Sequence, residues 1–163
     1  MNRKGKPAMS VEDVKKYLDK WGRGKDVLEF DSSSATVELA AAVLGVESGR
    51  IAKTLSFKQG EGCILIVTAG DTRIDNSKFK AEIGCRASML SPDEVLKHTG
   101  YAVGGVCPFA LPQGLRVYAD ISLKRYRTIF PACGSSNSAI ELTVDELTEY
   151  AGIEKWVDVC KTR

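Results

Sequence analysis

A chain of 163 residues, 44% hydrophobic and 27% charged, has the size and composition of one soluble globular domain that buries roughly 70% of its unfolded surface. Its net charge of +2 excludes a protein that wraps a duplex through many phosphate contacts, but leaves room for contact with the tip of a nucleic acid. No run approaches the roughly 20 apolar residues of a membrane span, so no membrane partner is expected.

Residues 1–9 open with Met1-Asn2-Arg3-Lys4-Gly5-Lys6-Pro7 and read as a disordered basic tail ahead of a single domain over 10–163. Ser10-Val11-Glu12-Asp13 has the form of a helix start, with Ser10 as N-cap and acidic residues in the first turn. Val11, Val14, Tyr17, Leu18 and Trp21 follow at helical spacing until Gly22 and Gly24 end the helix. Val27–Phe30 is a short strand candidate, closed by the polar turn Asp31-Ser32-Ser33-Ser34. An alanine-rich helix from about Thr36 to Gly45 then leads through Val46–Arg50 into the stretch Ile51-Ala52-Lys53-Thr54-Leu55-Ser56-Phe57.

Read as a strand, that stretch places Ile51, Lys53, Leu55 and Phe57 on one face and Ala52, Thr54, Ser56 and Lys58 on the other. The small and polar set looks like the face nearer solvent. Lys53 then lies among three large apolar neighbours, an expensive position for an ammonium unless it finds a partner, lines a pocket or snorkels to water. Lys58–Gly62 reads as a hairpin loop, and Cys63–Ala69 as a central strand covered on both faces. Gly70–Asp75 is a polar exit, after which Asp75 or Asn76 caps a short helix ending at Gly84. Arg86–Leu90 reads as a strand, and Ser91-Pro92-Asp93-Glu94 carries three agreeing signals for a helix start. Strands are expected over Leu115–Asp120, Thr128–Pro131, Ala139–Leu142 and Trp156–Cys160, with a helix from the capping box at Thr143–Glu146. Strands that do not alternate with long crossover helices point to an α+β fold: a mixed, strongly curved sheet or partial barrel of about six to seven strands with helices packed outside.

The cysteines (Cys63, Cys85, Cys107, Cys133 and Cys160) are scattered, with no CxxC pair and an odd total, which suits free thiols in a reducing cytoplasm. No Cys/His cluster suggests zinc, and neither a metal nor a cofactor is expected; the single histidine, His98, sits in a helix's last turn. Gly104-Gly105-Val106-Cys107-Pro108 joins two flexible glycines to a proline that stiffens the loop's exit. Such a loop can be an ordinary turn, or it can bring backbone groups close to a ligand. No GKS or GKT follows it, so it is not a phosphate loop. Cys107 has no His or Asp placed beside it in sequence and reads as a loop-filling thiol.

Ile51-Ala52-Lys53-Thr54-Leu55, the strand ending Val67-Thr68-Ala69-Gly70, the run Thr99–Pro108, and Gly134 followed by Ile140-Glu141-Leu142 occur in that order. Together, over about residues 10–160, they resemble the YbaK / prolyl-tRNA-synthetase-associated editing domain family. The resemblance implies a trans-acting aminoacyl-tRNA deacylase that hydrolyses the ester of a small mischarged amino acid, with tRNA-Pro the expected class and prolyl-tRNA synthetase a candidate partner. It also implies that Lys53 is the functional signature and that the Gly104–Pro108 loop holds the aminoacyl group. Lys53, Gly104 and Gly105 are therefore the expected catalytic residues. Thr54, Asp71, Arg73, Val106, Cys107, Pro108, Ser135 and Asn137 are the expected substrate contacts at a tRNA acceptor end.

An aminoacyl ester is already activated, so such a site needs alignment and charge stabilisation more than a strong nucleophile. The chain departs from the family's cysteine-specific members at two places, with Ala132 where they carry serine and Ala139 where an acidic residue is expected. Those departures keep open an alternative, a non-catalytic aminoacyl- or nucleotide-binding module partnering a synthetase. A regulator that binds a free amino acid is a third reading.

Overall fold

The computed structural model describes residues 8–31 and 36–163. Most of the expected basic tail, and Ser32, Ser33 and Ser34 of the polar turn, lie outside the described residues. Met9 packs against the core and donates its N–H to the Gly100 carbonyl at 2.8 Å.

Five α-helices form where local signals place them: α1 Val11–Leu18, α2 Val37–Leu44, α3 Asn76–Ile83, α4 Pro92–Thr99 and α5 Val144–Tyr150. Ser10, Ser91 and Thr143 cap α1, α4 and α5 in reciprocal capping boxes with Asp13, Glu94 and Glu146, each satisfying two otherwise orphan N–H donors. Asp75 caps α3 through the Lys78 N–H. No helix among the described residues is long and apolar enough to cross a membrane.

The strands are β1 Leu28–Glu29, β2 Ile51–Gln59, β3 Gly62–Ala69, β4 Thr72–Ile74, β5 Arg116–Asp120, β6 Thr128–Pro131, β7 Ser138–Ala139, β8 Leu142–Thr143, β9 Lys155–Val157 and β10 Cys160–Thr162. Six of them make a mixed sheet in the order β8-β6-β2-β3-β5-β9, curled into a half-barrel with the helices outside. The β2–β3 hairpin is its backbone, in register from Ala52↔Ala69 to Gln59↔Gly62, with Gly60 supplying a left-handed residue in the turn. As the continuous apolar run of β3 predicts, Ile64 through Ala69 are fully buried. Leu65, Val67 and Ala69 face the main core with Leu18, Tyr101, Phe109 and Ile140; Ile64 and Ile66 face a second cluster with Phe57, Phe79 and Val159. Each such side chain contributes about 1.5–3 kcal/mol of burial.

The structure departs from expectation at the short strands. Residues 86–90 form no strand: they meet β2 only through a Phe57↔Met89 bridge and two flanking backbone hydrogen bonds. Alternating residues satisfy a strand pattern, but no second edge is there to extend the pairing. The segments expected over 139–142 and 156–160 each divide in two, β7 with β8 and β9 with β10. β4, expected as a polar exit, pairs antiparallel with β10 as a two-stranded ribbon.

The face assignment of β2 is also corrected. Ala52 and Ser56 are 2% and 5% exposed, so the small, polar face is turned inward, not to solvent. Small side chains leave room there, and that room is the cavity described next.

Across the sheet from Lys53 lies Thr68, fully buried, whose hydroxyl has no hydrogen-bond partner among the described residues. An orphan buried hydroxyl costs about 1–3 kcal/mol. Thr68→Val, of nearly the same shape, is expected to raise the unfolding free energy by ~1 kcal/mol or more, read by denaturant titration. A loss of stability would mean that the hydroxyl has a partner.

Candidate active site

β2 pairs with β6 only at Ile51 and Ala52, and further along its edge it meets residues 88–90. Between those contacts the edge opens on a cavity of about 360 Å³, near the lower end of the range for small-molecule sites. Its floor is the inward face of β2 (Ala52, Thr54, Ser56). One wall is α2, through Val37, Ala40 and Leu44; another is the 103–106 loop, and Ser135, Ser136 and Ser138 close the far side. Ser56 O accepts from Leu90 N and Lys58 N donates to Ser88 O, so by strand alternation the Thr54 peptide groups point to the same open edge.

Lys53 also lines the cavity, but β2 alternation carries its side chain to the opposite face. It is half-buried, and Nζ donates to the Thr72 carbonyl at 2.5 Å. Burial and, after it, the positive charge of Arg163 hold its pKa below the ordinary value of 10.5; Asp71 and Glu38 pull the other way. The ammonium therefore stands where the cavity, β4 and the start of α2 meet.

The glycine loop is fixed from behind. Buried Tyr101 donates its hydroxyl to Phe109 O at 2.6 Å, spanning the loop's base. Gly104 is exposed with φ +93, a conformation that glycine adopts without cost, and it lines the cavity with Val106. Gly105 is buried and packs backbone to backbone on Gly134, whose oxygen lies 2.8 Å from where a Gly105 Cβ would be. Its N–H already donates to Ala102 O at 3.0 Å. Of the glycine pair, only Gly104 lines the cavity.

The cavity brings together Lys53, Thr54, Gly104, Val106 and Ser135 among the residues that the sequence singled out. Others stand apart. Cys107 and Pro108 are buried behind the loop; burial pushes the Cys107 thiol up to about 11, so it is a protonated filler. Asp71 makes a two-pronged pair with Arg125 at 2.9 and 2.5 Å, which holds its carboxyl below the usual range. Arg73 lies exposed on β4. Asn137 is spent on structure, its side-chain amide donating to Phe30 O at 2.8 Å while its own carbonyl accepts the Phe30 N–H.

The α2 wall is missing from the sequence reading, as are Leu90, Pro92 and Val95. A signal for α2 was present: Leu39 and Val43 are apolar and exposed, while Val37, Ala40 and Leu44 are apolar and turned to the cavity. A helix apolar all round is rarely an ordinary surface helix. Among the residues lining the cavity there is no His, Asp, Glu or Cys, so Lys53 is the one side chain there that titrates as a base.

A family model described as an aminoacyl-tRNA editing domain matches residues 31–150. The chain belongs to the aminoacyl-tRNA editing domain family. Its similarity to protein YwhH of Bacillus subtilis (strain 168), itself uncharacterized, reaches 55% identity over 154 residues, covering 94% of this chain and 98% of that one. It is 29% identical over 125 residues to the proline–tRNA ligase of Thermosipho melanesiensis (strain DSM 12029 / CIP 104789 / BI429), covering 76% of this chain but only 22% of the ligase. A solved structure of a candidate trans-editing enzyme for prolyl tRNA synthetase superposes with TM-score 0.84 at 30% identity, over 93% of this chain and 96% of that one. Ala132 and Ala139, where this editing domain departs from the cysteine-specific pattern, both line the cavity.

Proposed function

We propose that this editing domain is an aminoacyl-tRNA deacylase acting in trans on the ester of a small mischarged amino acid, with tRNA-Pro the expected class. The observation that carries the reading is the cavity itself: the small-residue face of β2, with Lys53 at its margin on the strand's other face, closed by the Gly104–Val106 wall. Its volume and small lining suit a sieve that hydrolyses what can enter. Water adds to the ester carbonyl, the bond to the ribose oxygen breaks, and the proton passes to that oxygen, releasing the amino acid and the tRNA end. Lys53 holds the developing negative charge or the terminal phosphate, using ammonium hydrogens beyond the one given to Thr72. The Gly104 N–H is a second donor. With no carboxylate or imidazole among the cavity residues, the water's proton is relayed to the departing ribose oxygen through a substrate group, the neighbouring ribose hydroxyl or the amino acid's own side chain.

A panel of mischarged tRNAs, followed for loss of the ester with and without protein, tests the reading. Hydrolysis confined to small amino acids and lost in Lys53→Ala supports it. Unchanged ester lifetimes across the panel, together with measurable tRNA binding, would favour the non-catalytic module.

A further inference from the structure

The β4–β10 ribbon carries a feature that the cavity does not use. Arg73 and Lys161 are direct partners across it and both are exposed. Like charges placed opposite one another weaken a strand pair. Neither forms an ion pair among the described residues, and the nearby Asp75 carboxylate is engaged in capping α3. Charged edges also deter aggregation, which by itself would account for lysines on a ribbon. This ribbon, however, leads to the active-site lysine, because Lys53 is bonded to the backbone of Thr72 on β4. At the inner end Arg163 donates its N–H to Asp71 O at 3.0 Å and reaches Glu38 of α2 at 3.8 Å, an exposed and therefore weak pair. Arg73, Lys161 and Arg163 thus form a cationic line that runs from open solvent to the helix walling the cavity. Asp71, Glu38 and Asp75 are the carboxylates beside it; Asp71 is taken by Arg125, and Asp75, which feels the Lys161 charge, caps α3.

We propose that the outer face of this ribbon, Arg73 with Lys161 and Arg163, is a docking strip for the sugar-phosphate backbone of the nucleic acid whose end enters the cavity. The proposal rests on the reading that the ligand is a tRNA acceptor end, and it extends the footprint from the tip to the adjoining stem. Arg73 and Lys161, exposed and without an ion pair among the described residues, and Arg163, held only by a weak exposed pair to Glu38, suit phosphate contacts, which position a ligand without reading its sequence.

The test is binding of two probes, uncharged full-length tRNA-Pro and its single-stranded acceptor-end trinucleotide, followed by fluorescence anisotropy through a salt titration. In Arg73→Ser/Lys161→Ser, affinity for the full-length tRNA is expected to fall about tenfold or more. The slope of log K against log salt should shrink by about 2, roughly one per lost contact, with the trinucleotide's affinity unchanged. Full-length binding that keeps its affinity and slope in the double variant overturns the strip. Equal losses for both probes overturn it as well, by placing the effect in the cavity. If the double variant loses binding to prolyl-tRNA synthetase but not to tRNA, the strip belongs to a protein partner and the proposal falls. Because these readouts are of binding, failure of the strip is distinguishable from absence of deacylation in the panel above.

Discussion

Lys53→Met is expected to lower deacylation by about 10²–10³-fold while leaving the unfolding midpoint at or above that of the parent chain. The two halves of that expectation have one cause. The ammonium is half-buried, and burial, seconded by Arg163, makes the charged form harder to hold in the folded state than in the unfolded chain. Between the depressed folded pKa and the ordinary 10.5 the unfolded chain binds the proton and the folded chain does not, so stability rises with pH through that window. Below it the burden of the buried charge is fully present. Methionine fills similar space without the charge and gives up the single hydrogen bond to Thr72 O, worth about 1 kcal/mol. Under the proposed function, the ammonium is kept at a cost in stability for what it does for the ligand.

The same shift fixes the pH dependence. If the cation is the working form, deacylation net of spontaneous ester hydrolysis falls as pH rises through the depressed pKa, before 10.5 is reached. If the neutral amine were a base, the rate would rise over that range. A Lys53→Met protein that keeps full activity, or a profile that climbs with pH, removes the electrostatic role assigned to this side chain.

What the sequence made legible was local. Capping boxes at Ser10, Ser91 and Thr143 involve residues three apart, and the chemistry that starts each helix is written within one turn. The Cys63–Ala69 run suits a covered strand, and the glycines beside Glu61 mark the hairpin. The sheet class followed from the order of those elements. The ribbon of Thr72–Ile74 with Cys160–Thr162 was not legible, because three-residue strands carry no periodicity and their partners lie far apart in the chain. The inward face of β2 was misjudged for a physical reason: small and polar residues signal solvent in an average strand, but here they mark space kept free beside the edge. A cavity is defined by atoms that are missing, and alternation patterns count those present. Lys53 and the glycine loop stood out because each broke a local rule; the α2 wall broke none strongly and was passed over.

Gly105→Ala is expected to destabilise the fold by about 1–3 kcal/mol and to cut deacylation by as much as ~10²-fold, the second effect outweighing the first. The cause is steric. Gly105 has an ordinary backbone conformation, but a Cβ there would sit 2.8 Å from Gly134 O and 3.2 Å from its carbonyl carbon. Gly134 has no slack: its own φ is +95, and the position of its missing Cβ is 3.0 Å from both Ser10 O and Val14 Cγ2. The loop of residues 102–106 must therefore yield, and in yielding it carries the Gly104 and Val106 wall away from Ser135 and Ser136. Under the proposed function the site works mainly by alignment, so displacing a wall by even part of an ångström is expected to misplace the ester. Gly114→Ala is the control, because Gly114 has φ +90 with nothing within 4 Å and lines no part of the cavity. It should cost about 1–2 kcal/mol of backbone strain with deacylation intact. Thermal unfolding and ester-release rates on both variants separate the cases. If Gly105→Ala loses stability and activity only in the proportion that Gly114→Ala does, the loop contact supports the fold alone and has no part in aligning the substrate.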